Sequence, residues 1–214
     1  ERTISDAFEQ STSGKSLVNM MDLDLLVGSG GVLSHAPRRE QSTKMLIDAF
    51  LPEGITQLAV DSIFMMPQLG VLANVTDADF SDEAKKAALE VFQKDCLIRL
   101  GTCIAPVGSA KDGEVVIEAE FILSDGSVLN KTLLKNELTR IEVPYEPVTA
   151  KITPSKKMDI GSGDGQELTS TIYGGEVGII LDGRNRPIEI PNDQGMRLEL
   201  LKKWSNAINE YPKV

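Results

Sequence analysis

Apolar positions along this chain of 214 residues follow two regimes, helical spacing between short apolar blocks up to about residue 100 and alternation beyond it. The run Leu25-Leu26-Val27 ends in Gly28, Gly30 and Gly31, followed by Ser34 and Pro37. This pattern predicts a buried strand, a glycine-rich turn and a helix start. Met45, Leu46, Ala49 and Phe50 then recur at helical spacing until Pro52-Glu53-Gly54 stops the helix. Gln57 to Val60 reads as a short buried strand, and Pro67 suits a first helical turn ahead of Leu69, Val71 and Leu72. Ser81 is placed as an N-cap, with Asp82 and Glu83 in the turn where the helix dipole favours negative charge. Behind it Ala84, Ala87, Ala88, Val91 and Phe92 form one apolar face. The order strand, helix, strand, helix, helix is an α/β pattern.

The pattern changes between Gly101 and Gly113. Val115, Ile117, Ala119, Phe121 and Leu123 alternate with polar residues, and Asp125-Gly126 predicts a hairpin turn. Val148, Ala150 and Ile152 repeat the alternation, as do Leu168, Ser170 and Ile172. A last hairpin is expected from Val177 to Ile190 around Asp182-Gly183. These strands predict a small antiparallel β-barrel or sandwich. Pro191-Asn192-Asp193 opens a terminal helix with Leu200, Leu201, Trp204, Ala207, Ile208 and Tyr211 on its buried side. The expected organisation is α+β overall, with an α/β unit over 1–108 and a β-rich unit with a C-terminal helix over 109–214.

Hydrophobic content of 41% and charged content of 25% describe an ordinary soluble globular protein. A net charge of −10 argues against nucleic acid and anionic membranes as partners, since both attract clustered Lys and Arg. No apolar run approaches the roughly 20 residues of a membrane span. Cys96 and Cys103, with His35 the single histidine, make neither a disulfide framework nor a typical zinc site, and are expected to be reduced, buried thiols in a cytoplasmic protein. Glu1-Arg2-Thr3 is neither a signal peptide nor an initiator methionine, so a cut end with functional parts upstream is expected.

The glycine turn is the densest concentration of chemistry in the chain. A dinucleotide fingerprint counted from Gly28 would place its third glycine at Leu33, and the fit fails even though Asp61 ends the next strand. Gly14-Lys15-Ser16 is no P-loop, because that loop's first glycine would fall at Glu9. His35 lacks a Ser, Cys or Asp at recognisable spacing and is read as a turn or capping residue. The loop from Asp159 to Gly165 could cradle an anion in a backbone nest, but reads first as a flexible turn, and Lys156-Lys157 as a solvated pair. Gly30-Gly31, Ser34 and Pro37 resemble the adenosine-binding turn of the actin-like ATPase superfamily, with one extra residue before the proline. Met66-Pro67-Gln68-Leu69-Gly70-Val71-Leu72-Ala73 resembles the glycine-containing segment that packs near it there. A strand–helix connection that merely needs positive φ is the alternative reading.

A closer resemblance is carried by five blocks in order: Asp24 to Arg39, Leu46 to Phe50 with Pro52-Glu53-Gly54, Leu58 to Leu72, Leu100 to Gly108 and Val177 to Pro187. Together they resemble the C-terminal half of the glutamate mutase accessory family, called MutL and unrelated to the mismatch-repair protein. The resemblance implies a chaperone-like partner of adenosylcobalamin-dependent mutases or aminomutases in amino-acid-fermenting bacteria, driving release of damaged cobalamin. It implies that Gly28, Gly30, Gly31 and Ser34 line the adenosine side of a cleft for ATP with Mg²⁺ in the full-length protein. It assigns no catalytic residue, no metal ligand and no cofactor intrinsic to this chain, because the superfamily's phosphate segments belong to the first half of the longer protein. Residues 113–190 are then the expected partner-contacting module. The rival readings are a scaffold or binding module with no nucleotide role and a small-molecule kinase whose Asp base lies upstream.

Overall fold

A computed structural model describes residues 19–75 and 81–211; Gly14-Lys15-Ser16 lies outside the described residues. The architecture is α+β, with two packed sheets and a helical layer. A five-stranded mixed sheet has the order β1-β2-β3-β11-β7, formed by Leu25–Gly28, Gly54–Asp61, Leu97–Ala105, Gly178–Asp182 and Leu138–Ile141. β1 runs parallel to β2, and β3 parallel to β11, whereas β2/β3 and β11/β7 are antiparallel. A four-stranded antiparallel sheet has the order β10-β8-β5-β6, formed by Leu168–Tyr173, Pro147–Pro154, Val115–Ile122 and Val128–Leu134. The two-residue strands β4 (Val107–Gly108) and β9 (Met158–Asp159) pair separately.

The antiparallel strands pack as one face of a sandwich. Their inward residues, among them Ile117, Phe121, Ala150 and Ile152, meet Ile104, Ile141, Ile179 and Leu181 from the mixed sheet. The other face of the mixed sheet carries the helices α2 (Arg39–Phe50) and α5 (Gln194–Ala207). Leu46, Ile47, Trp204 and Ile208 there bury against Leu58, Val60, Leu100, Cys103 and Ile180. Burial on both faces explains why β3 and β11 show no polar alternation. A mixed sheet sandwiched this way removes apolar side chains of every strand from water, the main stabilising term at about 25 cal/mol per Å².

The predicted helix after the glycine turn, its stop near Pro52, the helix α3 (Met66–Ala73) with Pro67 in its first turn, and the hairpin at Asp125-Gly126 are all present. The Ser81 hydroxyl accepts the Ala84 N–H at the start of α4 (Asp82–Val91), and Asp193 caps α5 in the same way. The apolar face of α4 is only partly covered: Ala88 is buried and Phe92 half-buried, while Ala84, Ala87 and Val91 are exposed. The expected hairpin from Val177 to Ile190 is absent. β11 stops at Asp182, and Gly183 turns to the β6–β7 connection, donating to Glu137 O (2.8 Å) and accepting from Asn136 N (2.9 Å). Strands on both sides of positions 108 and 109 belong to one sheet, with β3 before them and β7 and β11 after them. Among the described residues, no helix is long and apolar enough to cross a membrane.

Candidate functional site

The parallel pairing of β1 with β2 brings the strands' carboxyl ends together, with Gly28 opposite Val60 and Asp61 one residue beyond. Ligand crevices in open sheets form at such carboxyl ends. The turn that leaves β1 is built by its glycines for different reasons. A Cβ on Gly28 would stand 2.8 Å from Leu33 Cδ1 and 3.0 Å from Leu46 Cδ2, so this glycine lets the helical layer close on the strand. Gly30 has φ +109°, a conformation that side chains disfavour. Its carbonyl accepts the N–H groups of Leu33 (3.1 Å) and Ser34 (2.9 Å), starting the single helical turn α1 (Gly31–Ser34). A Cβ at Gly30 or Gly31 would meet nothing within 4 Å.

Ser34 is buried, and its Oγ donates to the main-chain carbonyl of Asp61 (2.5 Å). Ser42 Oγ donates to Leu33 O (2.7 Å), fastening the same turn to α2. The Asp61 side chain is fully buried and accepts from Met65 N (3.2 Å), Met66 N (3.0 Å) and Ser29 Oγ (3.5 Å). It therefore ties the glycine turn to the start of α3. His35 is exposed and meets the Phe64 ring edge-on, with centroids 5.6 Å apart. Of the four residues expected to line a nucleotide, Gly30 and Gly31 present open backbone. Gly28 faces the helical packing, and the Ser34 hydroxyl is engaged within the fold.

A second constellation lies at the opposite end of the mixed sheet. The registers place Leu181 beside Ile104 and Ile104 beside Ile55, so Asp182 sits near the amino end of β2. Asp182 is fully buried and receives Arg184 Nε and Nη2 (both 2.8 Å) and Arg186 Nη2 (2.8 Å). Arg184, only 1% exposed, also donates to Asp48 Oδ1 (2.7 Å) and lies over the Trp204 ring at 5.0 Å. Lys44 pairs with Asp48 on α2. Burial would raise the Asp182 carboxyl, but the Arg184 hydrogen bonds and the two guanidinium charges hold it down at about 2. Neighbouring Cys103 is pushed up to about 12, by burial first and the Asp182 charge second. Lys135, 5% exposed, is held below the usual lysine range by burial and by Arg186. Sequence reasoning missed this network; its signal was the spacing Asp182-Gly183-Arg184-Asn185-Arg186, read as a hairpin.

The Asp159–Gly165 loop holds no open anion nest. Asp159 Oδ1 itself accepts the N–H groups of Gly161 (2.7 Å) and Gly163 (2.9 Å). Among the described residues, no group of three or more His, Cys, Asp or Glu side chains is gathered to hold a metal ion.

No curated protein and no solved structure matches the chain. A family model described as MutL protein matches residues 4–96. The match ends immediately before β3, so it covers β1, β2 and helices α1 to α4, including the glycine turn and Asp61. Over that segment, somewhat less than half of its length, the chain is similar to the MutL protein family.

Proposed function

We propose that the chain is the adenosine-side half of a nucleotide-responsive, chaperone-like accessory protein that serves adenosylcobalamin-dependent mutases. The observation that carries this reading is the turn from Gly28 to Gly31, open at Gly30 and Gly31 on the carboxyl ends of a parallel strand pair. Backbone without side chains lets a flat purine and its ribose lie against the turn. The residues present fit that side of ATP. Beside the turn Asp61 is occupied by α3, Arg38 and Arg39 are paired with Glu40 and Glu176, and among the described residues no metal-holding group is gathered. On the resemblance to the actin-like superfamily, the phosphate contacts are assigned to that superfamily's phosphate-binding segments rather than to the glycine turn.

The chemistry of this half is binding and coupling. Ser34 and Asp61 join the turn to β2 and to α3, so a ligand that orders Gly30 and Gly31 is felt at both elements. A nucleotide shifts the protein between states only by binding one of them more tightly, by a few kcal/mol for a useful population change. The actin-like superfamily supplies the two-lobed arrangement within which such a shift opens and closes a cleft.

The test is calorimetric titration of the full-length protein with ATP and ADP, in wild type and Gly31→Val. Space is open at Gly31, so this substitution leaves the fold intact and places methyl groups on the proposed purine face. Nucleotide binding lost in the variant supports the half-site, and unchanged binding removes it. A scaffold with no nucleotide role is favoured by one observation: Gly28 and Ser34 are both accounted for by internal packing. Partner binding by a full-length protein that takes up neither nucleotide would select that reading.

A further inference from the structure

We propose that β10 is a strand-addition site, and that it takes an extended peptide segment of a partner protein in which apolar residues alternate with polar ones and a Lys or Arg stands at one end. The inference does not involve the glycine turn and stands independently of the nucleotide reading.

β10 pairs on one side only, with β8, and its direction of bonding is settled at Tyr173. Tyr173 lies opposite Pro147, which has no N–H to give, and both its own N–H and its carbonyl meet Thr102 Oγ1 (3.4 and 2.7 Å) on the far side. In an antiparallel pair this direction repeats every second residue. The N–H and C=O groups of Thr169 and Thr171 therefore also point away from β8. Among the described residues, no hydrogen bond reaches them from that side.

The other sheet edges carry protection. On β6, Lys131 is paired with core-facing Ala119 and so sits on the inward side of its strand, yet is exposed. β7 is fastened by Arg140, which donates to Ile208 O at the end of α5, to Val177 O and to Glu40. β1 is four residues long. Inward charge, cover and shortness are the usual guards of free edges. β10, Leu-Thr-Ser-Thr-Ile-Tyr, has no charge, no proline and no bulge.

A cleft of about 360 Å³ adjoins this edge. Besides β10 it is lined by Ile55, Gln57 and Thr102 of β2 and β3, by Met21 and Asp24, and by Ile160. Asp24 is the one charged side chain of the lining; it is exposed, and among the described residues it makes no ion pair. A basic residue at one end of the peptide complements it, while Ile55 and Leu168 meet the apolar side chains. Main-chain bonds supply affinity in strand addition and alternate pockets supply selectivity.

The test pans a displayed library of random octapeptides against the whole chain and titrates the selected peptides against wild type, Thr171→Pro and Asp24→Lys. Thr171→Pro removes an outward N–H and leaves the bonds to β8, a position where a strand tolerates proline; Trp204 fluorescence checks that the fold is kept. The expected result is selection of alternating peptides with a basic end, binding weakened about tenfold or more in Thr171→Pro, reduced binding to Asp24→Lys, and slowed amide exchange at Thr169 and Thr171 on saturation. The proposal is overturned if no peptide is selected, if Thr171→Pro binds the selected peptides equally, or if the two amides are already slow in the free chain. A dimer that is abolished by Thr171→Pro would make a second copy the occupant and overturn it as well.

Discussion

The hydroxyl of Ser34 donates to the main-chain carbonyl of Asp61 across 2.5 Å, joining the helical turn after β1 to the last residue of β2. Both groups are buried, and an unpartnered buried acceptor costs about 1–3 kcal/mol. Ser34→Ala is therefore expected to lower unfolding free energy by about 1–2 kcal/mol in urea titration. Under the half-site proposal it leaves nucleotide affinity within about twofold once the protein is folded, because the hydroxyl is not free to reach a ligand.

Gly28 and Gly31 separate packing from access. Gly28→Ala forces its methyl onto Leu33 and Leu46, an overpacking expected to lower stability by about 1–3 kcal/mol. Gly31→Ala meets open space in a helical turn and is expected to be neutral or stabilising by up to about 1 kcal/mol. Parallel urea titrations of the two variants check the ordering.

Asp182 sets an acid limit. Its carboxyl is held at about 2 in the fold against 3.8 for the unperturbed group. A depressed folded value gives stability that is complete above the unfolded pKa and is lost as pH falls from about 4 to about 2. The shift corresponds to about 2–3 kcal/mol. Urea midpoints measured between pH 5 and pH 2 should fall in wild type and fall less steeply in Asp182→Asn. That variant should also lose about 3–5 kcal/mol at neutral pH, because it leaves Arg184 and Arg186 without their carboxylate.

Cys103 is fully buried in β3, with its thiol pushed up to about 12. Only the thiolate alkylates readily, so native protein at pH 8 should leave Cys103 unmodified by iodoacetamide over hours, and denaturant should expose it. Peptide mass mapping distinguishes Cys103 from Cys96. Because this folded pKa is raised, the stability it represents is present below the unfolded value of about 8.5 and declines as pH climbs from there toward 12.

The parts of this fold that follow a single period were readable from the chain. Leu46, Ala49 and Phe50 marked α2, Ser81 and Asp193 marked helix starts, and Val115 to Leu123 marked β5 with its hairpin. β3 was obscured because burial on both faces removes the alternation, and Gly101 and Thr102 interrupt the apolar run. Asp182-Gly183 carried a strong hairpin signal, yet Arg184 and Arg186 fold back on Asp182 while Gly183 bonds to Glu137 and Asn136. That outcome depends on partners far along the chain. At the glycine turn, residue types disclosed the bend, but not that Ser34 would be taken up by a carbonyl 27 positions later. Nor could spacing show that Gly28 is glycine on account of Leu33 and Leu46.

The insertion of β11 between β3 and β7 bears on how this protein is made. A ribosome emits β1, β2 and β3 before β11, and β3 then waits with one side bare while everything up to Gly178 is synthesised. Parallel pairing across such a separation is slow and leaves a sticky ribbon exposed in the meantime. The newborn polypeptide is thus itself a client for protection until β11 arrives to seal the seam.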